Sequence, residues 1–128
     1  MALPDGSENS LARAFACAFE GIDNAARGRN FKIECAIGLL AVVLGFAFRI
    51  SHPEWLAVII CIGVVLGFEV ANTAIESVVD LASPGYDERA KRAKDCAAGA
   101  VLVASIAALA VGIMLYAPRI LALIGLFG

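Results

Sequence analysis

The stretch Trp55–Leu81, WLAVIICIGVVLGFEVANTAIESVVDL, decides the fold of this chain. It is long enough to cross a membrane as one helix, since about 20 apolar residues span a hydrocarbon core of about 30 Å. Yet Glu69 and Glu76 stand inside it, with Asn72 between them and Asp80 at its edge. A carboxylate in hydrocarbon costs about 2.5 kcal/mol or more unless it has a partner or a task. At about 100° per residue, the four side chains fall within about 80° of one another and form one stripe. Gly63, Gly67, Ala71 and Ala74 lie on the opposite side, where small residues let helices approach closely. The spacing predicts a helix with a chemical face and a packing face.

The rest of the chain agrees with a membrane setting. Of its 128 residues, 61% are hydrophobic and 17% charged, and its mean hydropathy is positive. That is a membrane composition. Three segments can span: residues 31–50, 55–81 and 96–116. A single membrane-embedded domain over 1–128 is expected, all-α in class. Ahead of the spans, Leu11, Ala14, Phe15, Ala18, Phe19 and Ile22 recur at helical spacing, with Arg13, Glu20 and Asp23 interleaved. An amphipathic helix on the membrane surface is expected over about 9–27. The alternative, a helix packed on a soluble core, has no soluble domain to pack on. No charged region and cleavage site precede the first span, so a removable signal peptide is not expected.

Basic residues set the orientation. Arg13, Arg27, Arg29 and Lys32 precede the first span, and Arg89, Lys91, Arg92 and Lys94 fall between the second and third, so both regions should be cytoplasmic. The Ser51-His52-Pro53-Glu54 turn and the tail carry only Arg49 and Arg119 nearby and should face outward. Trp55 and Tyr116 would then be outer interfacial anchors. The stripe runs from Glu69 toward the cytoplasmic surface, with Glu76 and Asp80 near it. The net charge of −2 hides this asymmetry. The basic residues are divided between membrane-proximal segments without a groove-reading motif, so no nucleic-acid partner is expected.

Ala100, Ala104, Ala108 and Gly112 give the third span a ridge of small residues, and three helices alone shelter few carboxylates from lipid, so self-association is expected. Cys17, Cys35, Cys61 and Cys96 lack metal-ligand or disulfide-framework spacing and read as small packing residues. His52 stands alone in the outer turn. Lys94 and Asp95 are placed differently, because Lys94 lies in a connection joining the carboxylate helix, where a cation beside acidic metal ligands can hold transferring phosphate charge. No Gly-x-x-x-x-Gly-Lys-[Ser/Thr] loop and no Gly-x-Gly-x-x-Gly is present. Two functions remain open on these grounds. A transporter would use the carboxylates to bind ions or protons and favours acids at the midplane with access from both sides. An enzyme acting on lipid would use them as base and metal ligands. A stripe running to one surface and meeting a basic segment favours the enzyme.

The run Glu69-Val-Ala-Asn72-Thr-Ala-Ile-Glu76-Ser-Val-Val-Asp80, with Ala93-Lys94-Asp95 and Ala98-Gly99-Ala100-Val101, resembles the signature of the small prokaryotic diacylglycerol kinase and undecaprenol kinase family. The resemblance implies a surface helix plus three membrane helices, a homotrimer in the bacterial plasma membrane, and transfer of the ATP γ-phosphate to a lipid hydroxyl with Mg2+. It implies Glu69 as general base on the lipid hydroxyl and Glu76 as metal ligand. Asn72 and Lys94 are placed near the γ-phosphate, and Asp80, Asp95 and the Gly85-Tyr86-Asp87 loop near the nucleotide. Phe31 and Glu34 match a substrate-side motif opening the first span. One departure stands out: where the family commonly has a second metal-binding Glu, this chain has Gly28, leaving Glu34, Glu20 or Asp23 to substitute. A low-activity or repurposed member is the corresponding alternative. The segments Arg29-Asn30-Phe31-Lys32, Gly45–Ser51, Glu54-Trp55 and Pro118-Arg119-Ile120 look more like the undecaprenol kinase branch, so undecaprenol is the expected substrate and diacylglycerol the next.

Overall fold

The computed structural model describes residues 11–125, and within them every regular element is a helix: α1 Leu11–Ala26, α2 Arg29–Ala47, α3 His52–Ala82 and α4 Glu88–Leu123. Residues 9 and 10 of the expected surface helix lie outside the described residues. α2, α3 and α4 are each long and apolar enough to cross a membrane. At about 1.5 Å per residue, the 31 residues of α3 reach about 46 Å, well beyond a hydrocarbon core of about 30 Å. Its last turns, with Glu76 and Asp80, can therefore stand clear of lipid while Glu69 stays inside.

α1 is amphipathic, as its spacing predicts. Leu11, Phe15, Phe19 and Ile22 are all exposed, and of its residues only Ala25 is buried. Its apolar stripe is not used by the rest of the chain, which suits a helix lying in a membrane interface. Gly28 then caps α2, its N–H donating to the Ala25 carbonyl at 2.9 Å.

α2 closes with a Schellman motif. The Ile50 N–H reaches back to the Gly45 carbonyl at 3.1 Å and the Arg49 N–H to Phe46 at 3.2 Å, with Arg49 at φ 50°. Gly45 is required for close approach here, since a Cβ at this position would lie 2.7 Å from the Trp55 ring. α3 starts directly afterwards. Ser51 is its N-cap, and the Glu54 carboxylate accepts from the Ser51 N–H at 2.7 Å and its hydroxyl at 2.9 Å. The segment expected as the outer turn is thus already helix from His52, because capping begins the helix at the membrane edge.

α4 corrects the sequence reading at both ends. Its first turns carry Arg89, Lys91, Arg92 and Lys94, which were expected between spans. The Asp87 side chain caps the helix, accepting from the Arg89 N–H at 2.6 Å. Hydropathy marks where lipid ends, whereas a helix ends where its backbone hydrogen bonds do. At the other end α4 runs past Tyr116 and through Pro118 to Leu123.

α3 lies centrally, packed most extensively on α4 and less on α2, while α2 and α4 scarcely meet. Val58, Val65, Glu69 and Asn72 are the buried residues of α3 and share one face; Ala97, Val101 and Ala104 are buried on α4. Of the small-residue ridge of α4, Ala104 is buried, while Ala100, Ala108 and Gly112 are half-buried. The division expected for α3 is inverted within the chain. Its polar stripe lies along the inward face, whereas Gly63, Gly67, Ala71 and Ala74 are exposed, and a Cβ at Gly63 or Gly67 would meet nothing.

Two outer-end expectations also change. Tyr116 is buried, not an interfacial anchor, and Trp55 is half-buried against the cluster of Ile50, Val58 and Tyr116, its ring 4.8 Å from that of Phe46. Both aromatic rings find better partners inside the chain than at the interface. Cys17, Cys35 and Cys96 are exposed free thiols and Cys61 is half-buried, so three of the four do not pack within the chain.

Candidate functional site

Because α2 and α4 both lean on α3 and scarcely meet each other, they leave a cleft of about 380 Å³ between them. Its walls are apolar: Ile37, Ala41 and Leu44 from α2, Val65 from α3, Ala108 and Gly112 from α4. Glu34 is the acidic residue lining it, and Tyr116 lies among the lining residues toward the other end. The Tyr116 hydroxyl donates to the Ala41 carbonyl at 2.7 Å, bridging α4 to α2. Beyond it, Arg119 grips Glu54 with one nitrogen at 2.8 and 3.0 Å from the two carboxylate oxygens and donates to the Leu115 carbonyl at 2.5 Å. This end is tied.

The opposite end is polar and open to new partners. Glu69 and Asn72 are each only 6% exposed. Glu34 on α2 stands near enough to Glu69 for their charges to interact, as does Glu76 on α3. The Glu34 Oε2 and Asn72 Oδ1 atoms are buried with no hydrogen-bond partner among the described residues. Buried acceptors without donors are costly, and in native structures they mark places where a ligand, ion or water completes the network. Within α3 the Thr73 hydroxyl donates to the Glu69 carbonyl at 3.0 Å and the Ser77 hydroxyl to that of Thr73 at 2.8 Å, keeping those polar groups satisfied inside their own helix.

Glu76 is exposed at the mouth of the stripe. One turn on, the Asp80 carboxylate accepts from Lys94 Nζ across the α3–α4 connection. Asp95 pairs with Lys91 on its own helix. Of the expected nucleotide loop, Asp87 caps α4 and Tyr86 projects outward, 86% exposed. Ser83 donates to the Gly85 carbonyl at 3.1 Å, which shapes the loop. Phe31 is buried and serves packing at the start of α2.

The fold thus brings Glu34, Glu69, Asn72 and Glu76 to one region, sets Lys94 and Asp80 at its rim, and leaves Tyr86 apart. Among the described residues, no group of three or more His, Cys, Asp or Glu side chains is close enough to hold a metal ion by itself. The sequence reading missed the Glu54–Arg119 pair and the Tyr116–Ala41 bridge. For the first a signal existed, one acid and one base in segments assigned to the same side of the membrane. For the second there was none, because the acceptor is a backbone carbonyl.

Comparison with known proteins covers the segment that holds these residues. Residues 16–116 match the family model for prokaryotic diacylglycerol kinase. The undecaprenol kinase of Bacillus subtilis is 35% identical over 113 residues, covering 88% of this chain and 92% of that protein. A diacylglycerol kinase of Synechocystis is 43% identical over 121 residues, covering 89% and 66%. The diacylglycerol kinase of Escherichia coli K12 is 37% identical over 78 residues, covering 61% and 64%.

Proposed function

The chain belongs to the prokaryotic diacylglycerol kinase family, and from that premise we propose that it is an ATP-dependent lipid kinase phosphorylating a membrane lipid alcohol, undecaprenol before diacylglycerol. One observation carries the reading: Glu34, the acidic residue lining an apolar cleft, has an unpartnered buried oxygen and stands near the buried Glu69, whose neighbour on the same helix face, Asn72, is buried with an unpartnered oxygen too. A lipid alcohol supplies what that arrangement lacks, an apolar chain for the cleft and a hydroxyl donor for the carboxylates.

Glu69 takes the proton of the lipid hydroxyl as it attacks the γ-phosphate, a role that needs a carboxylate within hydrogen-bond reach of the alcohol. Burial of Glu69 excludes water from that step. Asn72, one turn toward the mouth, turns its amide to the phosphate side, and Lys94 offsets the phosphate charge. Asp95 and the Gly85-Tyr86-Asp87 loop form the outer, nucleotide-facing edge.

Mg2+ fits these residues. Magnesium on ATP takes one or two protein carboxylates and completes its shell with phosphate and water, so a group of three acids is not needed. Glu76 at the mouth would hold it, with the unpartnered Glu34 oxygen as the second protein ligand in place of the carboxylate that Gly28 cannot supply. Bound there, the ion would neutralise charge on the transferring phosphate.

The exposed Gly63–Ala74 face of α3 supports a homotrimer in which another copy covers it. The basic residues at the Asp80 end support a cytoplasmic site in the bacterial plasma membrane. Preference for undecaprenol is supported by the match spanning 92% of the B. subtilis undecaprenol kinase; the Synechocystis diacylglycerol kinase, at 43% identity, supports diacylglycerol as the second substrate.

The test is a side-by-side assay of purified, reconstituted protein with γ-labelled ATP, magnesium and each lipid in turn. Label should pass to both, with the higher kcat/KM for undecaprenol. No label in either lipid, together with cation or proton flux in liposomes, would replace the kinase by a transporter.

A further inference from the structure

Lys94 lies in the second turn of α4 and Asp80 in the last full turn of α3, so their contact straddles the connection between the two helices. We infer that Asp80 is a placeholder for phosphate: it holds the Lys94 ammonium at the mouth of the stripe while no nucleotide is bound, and yields it when phosphate arrives. The inference rests on the kinase reading above. It departs from that family-based expectation at one residue, giving Asp80 a positioning role through Lys94 in place of contact with the nucleotide.

The surroundings of the pair carry the argument. Its two side chains differ in exposure, 37% for Lys94 and 67% for Asp80. The cation is thus partly enclosed while the carboxylate stands in solvent, free to swing away. Lys91, one turn earlier on α4, is turned instead to Asp95 on its own helix, so Lys94 is the lysine that this end directs across to α3. Asp80 continues the inward face of α3 on which Glu69 and Glu76 lie, about one turn beyond Glu76. The ammonium is thereby parked beside the mouth and not out in bulk water.

Magnitudes allow the exchange. An exposed ion pair favours the paired state only up to about fivefold, so it is easily displaced. A polyphosphate brings several negative charges to the same ammonium and outcompetes one carboxylate. Without nucleotide, Asp80 keeps the long lysine stem near its working position. With nucleotide present, Asp80 is a competitor for the Lys94 ammonium.

This gives a sign opposite to that of a nucleotide or metal ligand. Equilibrium binding of labelled ATP with magnesium should be measured on the reconstituted full chain in four forms: native, Asp80→Asn, Lys94→Gln and the double variant. Asp80→Asn should bind ATP about two- to fivefold tighter and lower KM for ATP without raising kcat. In the Lys94→Gln background the same change should leave affinity within about twofold, because its effect passes through Lys94. Asp80→Ser repeats the comparison with a shorter neutral side chain and should move affinity in the same direction. Weaker ATP binding by Asp80→Asn would make Asp80 a ligand and overturn the inference. Unchanged affinity with lowered thermal stability would reduce the pair to a structural tie and overturn it too. Failure of the native chain to bind ATP would remove the kinase reading and this inference together, an outcome distinct from both.

Discussion

Tyr116 of α4 donates its hydroxyl to the backbone carbonyl of Ala41 in α2, 2.7 Å away, across a cleft whose two flanking helices scarcely meet elsewhere. With the Arg119–Glu54 pair, it ties one end of the three-helix unit while the other keeps Glu34 and Asn72 acceptors unpartnered. The molecule is stiff where nothing needs to bind and unsatisfied where substrates are proposed to meet.

Tyr116→Phe should therefore destabilise the chain by about 0.5–1.5 kcal/mol, the net worth of one hydrogen bond, while retaining the ring in its buried cluster. Tyr116→Ala should cost several times more, since it also empties the cavity end. Denaturant titration in mixed micelles measures both, and a Tyr116→Phe chain as stable as the native one would mean that the hydroxyl contributes nothing.

Glycines on the two sides of the bundle should respond in opposite ways. At Gly45 an added methyl would meet Trp55 at 2.7 Å, so Gly45→Ala should destabilise by about 1–3 kcal/mol despite the better helix propensity of alanine. At Gly67 a Cβ meets nothing within the chain. Gly67→Leu should thus leave the single chain folded and break self-association if another copy covers that face. Helicity by circular dichroism and mass by light scattering in detergent separate the two effects. An unchanged assembly would move the interface elsewhere.

The missing carboxylate at position 28 yields a metal prediction. A Cβ at Gly28 would stand 3.1 Å from the Ala25 carbonyl, a crowding that a shift of a few tenths of an ångström relieves. With Glu34 as the second ligand, Gly28→Glu should leave the magnesium concentration for half-maximal activity within about twofold, whereas Glu34→Gln should raise it by about tenfold, equivalent to about 1.4 kcal/mol, and weaken Mn2+ binding read by electron paramagnetic resonance. A gain of about tenfold from Gly28→Glu with no loss from Glu34→Gln would mean that Glu34 does not fill the role.

How far this was legible in the sequence can be judged at single residues. The three spans and α1 followed from apolar length and helical spacing, because burial in lipid imposes both. That Glu69, Asn72, Glu76 and Asp80 share a face followed from helical geometry alone. Which way the face turns did not. Polar and small faces both favour close helix neighbours, and only packing of α2 and α4 on α3 decides that Glu69 is inside and Gly67 outside. The sequence places Lys94 in a connection because charge marks the membrane edge, whereas the Asp87 cap carries the helix through it. Tyr116 reads as an anchor in the sequence because its partner, the Ala41 carbonyl, leaves no trace in side-chain chemistry.

The central claim is that Glu69 acts as the base in phosphoryl transfer from ATP to a lipid alcohol. Single-turnover transfer of labelled γ-phosphate to undecaprenol should be compared between the native chain and Glu69→Gln, with ATP binding measured on the same preparations. The account predicts unchanged ATP affinity and a fall in the transfer rate of roughly 10²–10⁴-fold, the usual contribution of a general base. A Glu69→Gln chain that bound ATP and transferred phosphate at near the native rate would contradict it.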